Sequence, residues 1–176
     1  FEMAATDEMI EHLLNLSPDI CTLVPEGREE LTTEGGLNMA AVYEDFSTRV
    51  FPTIREGSKT KHIELSLFLD PNPEDIQLAH QLRSDAIELH TGTYANAENK
   101  EAQYKELDRL REAAILAHSL GLKINAGHGL NLSNLSKVCR ITQIEEVNIG
   151  HSVVADSIFK GLKRAIQDFR SALDND

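Results

Sequence analysis

A single imidazole set between glycines, Gly127-His128-Gly129, ends the short stretch Lys123–Leu130, KINAGHGL. Glycine permits a tight turn and close approach of a ligand because it has no Cβ. A strand that stops there would present His128 to whatever binds; on its own, the stretch fits a plain turn histidine equally well. Glu88 lies between Ile87 and Leu89 in an otherwise apolar run. Strand alternation turns its side chain away from theirs, and a carboxylate placed inward needs a partner or a raised pKa. That suits a general acid or base, or a group that stabilises a cationic iminium; the bland alternative is a structural glutamate. His90, two residues on, faces the same way and could be its hydrogen-bond partner. Gly150-His151 precedes a helical stretch, whose first N–H groups and dipole favour a phosphate. Thr32-Thr33-Glu34-Gly35-Gly36 follows a strand directly, and Glu2 sits near the end of another. His90, His128, His151 and Glu2 could in principle share one metal. Such ligands come from different strands, so spacing does not test the idea, and no HExxH or cysteine cluster supports it.

The elements that must carry these groups alternate. Phe1–Ala5 reads as the tail of a strand, and Thr6 opens a helix with Asp7 and Glu8 in its first turn. Asp19–Val24 is a buried strand. A helix is expected around Ala41–Ile54, interrupted by Pro52. Ile63–Leu69 and Ala86–Leu89 are strands, with an amphipathic helix over Glu74–Arg83 between them. Asn99–Leu120 is the strongest helix, ended by Gly121. Next come the Lys123 strand, a short helix over Asn131–Val138, and a strand over Glu146–Ile149. One long helix over Ser152–Leu173 closes the series, with Val153, Val154, Ile158, Leu162 and Ile166 inward. Six strand–helix repeats predict a parallel α/β sheet with helices outside. A (β/α)8 TIM barrel whose first two βα units are absent from the chain fits best, making 1–176 a single partial domain of strands three to eight. An open doubly wound sheet is the second choice. No GxGxxG or GxxxxGK[ST] marks a nucleotide site.

The 176 residues suit one domain. With 17 basic and 29 acidic residues, the net charge of −12 does not favour nucleic acid or an anionic membrane. Local N–H groups could still hold a phosphorylated substrate. The apolar runs fall well short of the ~20 residues of a membrane span, and no basic leader is visible. Cys21 and Cys139 form no CxxC and read as buried free thiols of a cytoplasmic protein. Phe1-Glu2-Met3-Ala4 suggests that further sequence precedes the chain.

EMAAT, LVPEGREELTTEGGL, LSLFLDP, IELHTGTYA, GLKINAGHGLN and VNIGHSVVADSIFKGL, in this order, resemble the pyridoxine 5′-phosphate synthase family. The resemblance runs from Glu2 to about Ile166 and is weakest over Asn38–His62. It implies a TIM barrel assembled as a homo-octamer, with no metal or redox cofactor. It also implies condensation of 3-amino-2-oxopropyl phosphate with 1-deoxy-D-xylulose 5-phosphate to pyridoxine 5′-phosphate, phosphate and water. By motif, Glu2 matches the family's proton acceptor, His128 its proton donor, and Glu88 the residue thought to stabilise the transition state. Thr32 matches a contact to the deoxyxylulose phosphate, and Gly129, Gly150 and His151 match contacts to the aminoketone phosphate.

The family's Asn-x-Asp-His motif, its further Arg and His ligands and another catalytic His are missing from this sequence. The expectation is therefore that this polypeptide alone is inactive and poorly folded. Two other readings stand beside the enzyme: a non-catalytic barrel remnant that only binds phosphate, and a metal-dependent aldolase-type barrel.

Overall fold

The computed structural model describes residues 1–26, 35–58 and 61–173. Six strands, β1 (Glu2–Met3), β2 (Ile20–Leu23), β3 (Glu64–Leu69), β4 (Ala86–His90), β5 (Lys123–Gly127) and β6 (Glu146–Asn148), form one sheet in chain order. Every neighbouring pair is parallel. A doubly wound sheet reverses its strand order at a switch point. This one does not, which sets the open-sheet alternative aside.

The pleat separates two layers of different chemistry. Met3, Cys21, Leu23, Leu65, Leu67, Leu69, Ile87, Leu89, Ile124 and Ala126 belong to one apolar core. The residues between them point to the other face and run across the sheet in register. One row reads Glu2, Thr22, Ser66, Ala86, and another Phe68, Glu88, Asn125, Glu146. Strict alternation is thus apolar toward the helices and largely polar on the inner face.

The helices are cut where side chains can satisfy their ends. Thr6 caps α1 (Asp7–Leu16) and Asn99 caps α6 (Lys100–Ser119), each accepting from a backbone N–H three residues on. Gly121, at φ +80°, stops α6 as expected. The region around Pro52 differs from expectation. α2 (Met39–Asp45) passes into a wider π-type turn over Phe46–Val50 and then α3 (Phe51–Gly57). The backbone stays right-handed helical throughout, with the Phe51 N–H bonding five residues back to Phe46 O, so the path widens just before Pro52, whose ring and missing N–H do not fit an ordinary helix interior. α4 (Pro73–Gln81) follows β3, the single turn α5 (Gly92–Ala95) follows β4, and α7 (Leu135–Cys139) follows β5.

The last helix is corrected in two respects. Gly161, at φ +79°, divides it into α8 (His151–Lys160) and α9 (Leu162–Leu173). Val154, Ile158, Leu162 and Ile166, expected inward, are exposed; only Val153 of that set packs on the core, and α9 buries Ala165 and Phe169 instead. No helix among the described residues is long and apolar enough to cross a membrane.

Candidate active site at the strand ends

Glu2 on β1 and Asn148 on β6 belong to the two outermost strands, yet both line one cavity of about 540 Å³. In a flat six-stranded sheet, at ~4.8 Å per strand, they would stand about 24 Å apart. The sheet is therefore curled, and its inner face converges on this space. Phe68, Glu88, His128, Gly129, Leu130, Gly150, His151 and Ser152 complete most of the wall.

Glu88 enters from the middle of β4 and is 5% exposed. Its Oε2 accepts a 2.6 Å hydrogen bond from Asn148 Nδ2. His90 does not partner Glu88: its Nδ1 pairs with Asp70 Oδ1 at 2.8 Å, the carboxylate oxygen accepting. A Cβ placed on Gly127 would lie 2.1 Å from Glu88 Oε1. Glycine at 127 therefore makes room for a carboxylate on the neighbouring strand. Burial raises the Glu88 carboxyl to about 7, helped by the negative charge of Glu2 and opposed by the Asn148 bond.

His128 follows β5 directly with φ +82°, in the left-handed region. A histidine there is strained by roughly 1 kcal/mol or more. Thr91 clamps the turn: its N–H donates to Gly127 O at 2.8 Å. Its hydroxyl lies 2.7 Å from that oxygen and 2.5 Å from His128 O. Burial, and to a lesser degree His90 nearby, hold the His128 imidazole below its ordinary range, with Glu2 opposing.

α8 begins at the cavity wall. Gly150 is its N-cap and makes no side-chain capping bond, so the first N–H groups of the helix lack a side-chain partner there, and Gly150, His151 and Ser152 line the cavity. Ser152 is anchored by its hydroxyl, which donates to Leu130 O at 2.6 Å.

Of the residues singled out in the sequence, Glu2, Glu88, His128, Gly129, Gly150 and His151 share this cavity. His90 lies outside its lining, and Thr32 falls outside the described residues. Asn148, on β6, is brought to Glu88 by the curl of the sheet. Asn96, Asn131, Ser152 and Phe68 were not singled out, because amides, hydroxyls and aromatics carry no spacing signature. Among the described residues, no three His, Cys, Asp or Glu side chains converge as a metal's ligand set.

The chain as a whole is similar to known proteins. Pyridoxine 5′-phosphate synthase of Geobacter metallireducens is 45% identical over 167 residues, which cover 95% of this chain and 68% of that protein. The Pelodictyon phaeoclathratiforme protein of the same name is 48% identical, covering 95% and 69%. Among solved structures, the tryptophan synthase A-subunit of Pyrococcus furiosus superposes with a TM-score of 0.59 at 16% identity, over 93% of this chain and 60% of that one. At that identity the likeness concerns the fold alone. The family model described as pyridoxal phosphate biosynthesis protein PdxJ matches residues 1–175, and the chain belongs to that family.

Proposed function

We propose that this chain carries out, or supplies most of the site for, pyridoxine 5′-phosphate synthesis. In that reaction 3-amino-2-oxopropyl phosphate condenses with 1-deoxy-D-xylulose 5-phosphate, releasing phosphate and water. The observation that carries the reading is the meeting of Glu2 on β1, Glu88 on β4 and His128 just after β5 around one cavity that also holds the start of α8. Relatives at 45–48% identity that bear the synthase name support it.

Joining an aminoketone to a ketose requires imine formation, loss of water and phosphate, and several proton transfers. Carboxylate and imidazole pairs perform such transfers near neutral pH. Glu2 takes the role of proton acceptor. Glu88, with a carboxyl near 7, offers either protonation state at neutral pH and faces the cationic carbon–nitrogen intermediate. His128 is the proton donor; an imidazolium held below its ordinary range gives up its proton readily. Gly129, Gly150 and His151 receive the aminoketone phosphate at the α8 N-terminus. Thr32 is assigned to the deoxyxylulose phosphate by motif alone. The curled sheet is read as strands three to eight of an eight-stranded barrel, in a cytoplasmic protein that assembles as a homo-octamer.

The test is His128→Ala in the protein as its gene encodes it. Turnover is expected to fall by about 10²–10⁴-fold, the range for loss of a general acid, with a smaller change in KM. Normal turnover would remove His128 from the chemistry and the reading with it.

A further inference from the structure

Behind His128 stands a pair that the proposed chemistry does not use. His90 is 5% exposed, and its Nδ1 lies 2.8 Å from Asp70 Oδ1. Its Nε2 is buried and has no hydrogen-bond partner. A Cβ built on Gly92 would lie 2.4 Å from that Nε2 and 3.2 Å from His128 Cδ2. The bare glycine backbone thus covers both rings at one point. The His90 and His128 rings meet edge to face, centroids 5.0 Å apart, and Phe68 packs at 5.2 Å from His90 and 6.4 Å from His128. Three rings therefore fix one another, and Asp70 fixes the middle one.

Asp70 is itself held. The bond to His90 first, then the Gly36 N–H that donates to its carboxylate and the nearby Arg109 charge, hold it below the ordinary carboxylate range against its partial burial. An ionised carboxylate only accepts. A proton of His90 must then sit on Nδ1, facing Asp70, while the buried Nε2 is left without a partner. Such an orphan costs stability and persists only if the surroundings over-determine it.

We infer that Asp70 and His90 are positioning residues, Asp70 fixing the Nδ1–H form and plane of His90, and His90 with Phe68 fixing the plane of the His128 ring. The inference rests on the role proposed above for His128; the tautomer it requires does not. A strained backbone alone holds the Cα of His128, not its ring. A ring free to turn would misdirect its proton, and misplacement on the 1 Å scale costs on the order of a hundredfold in rate.

Two measurements test it in the protein as its gene encodes it. Long-range ¹H–¹⁵N correlation of the unmutated protein is expected to show His90 protonated at Nδ1. In Asp70→Asn that pattern shifts, because the amide can donate to Nδ1. A His90 resonance showing an Nε2–H neutral ring would overturn the inference, whatever the activity. His90→Phe keeps a planar aromatic ring, somewhat larger than imidazole, and loses the bond to Asp70. It is expected to lower kcat by about tenfold to a hundredfold, with KM for both substrates within about twofold. Unchanged kcat in a folded His90→Phe protein would also overturn it. If His128→Ala were fully active, the proposed function would fail, while the tautomer measurement would still decide the Asp70–His90 pair.

Discussion

Glu88 shows how one residue's surroundings set both chemistry and stability. Its carboxyl rises from an ordinary 4.5 to about 7 because it is buried beside Glu2. Between those values the folded state holds the proton more tightly than the unfolded chain. The sign follows directly: folding stability falls as pH rises through this window, by about 3 kcal/mol in all if no other group compensates. Glu88→Gln keeps the shape and an oxygen for Asn148, and removes the titration. Urea unfolding at pH 5 and pH 7.5 is expected to show a smaller pH difference for the variant than for the parent. Equal differences would mean that folding does not raise the Glu88 carboxyl above its unfolded value. Glu88 itself was legible in the sequence, as an acid flanked by apolar neighbours. Its partner was not: alternation places Glu88 and His90 on one face but says nothing of the distant Asn148, which only the curl of the sheet brings to it.

At the scale of elements, the two glycines that bracket α8 do different work. Gly161 has φ +79° and nothing near its Cβ position, whereas Gly150 has open space and an ordinary negative φ. Gly161→Ala is therefore expected to cost about 1 kcal/mol through backbone strain alone. Gly150→Ala should leave the unfolding midpoint unchanged and raise KM for the aminoketone phosphate, since its methyl group would enter the cavity. Denaturant titration beside steady-state kinetics separates the two; a KM effect at 161 without loss of stability would reverse the assignment. The order of strands and helices was readable because period two and period 3.6 differ and because caps mark their ends. The partners of a helix were not. Val154, Ile158 and Leu162 form a true apolar stripe at helical spacing, but periodicity does not tell which surface covers it, and within the described residues they face outward.

For the molecule as a whole, charge matters at long range. A net charge of −12 repels phosphorylated substrates beyond the reach of the α8 N-terminus, and salt screens such repulsion over about 10 Å at 0.1 M. kcat/KM is expected to rise as ionic strength increases from near zero. A fall instead would mean that a local positive field governs capture. The curl of the sheet has a further consequence. The wall of the cavity begins at Glu2 and ends at Ser152, so its two sides are nearly the whole chain apart in sequence. No excised hairpin, single βα repeat or grafted loop reproduces it. Engineering of this pocket must therefore proceed by exchanging side chains in place, because removing β1 or the start of α8 dismantles one of its sides.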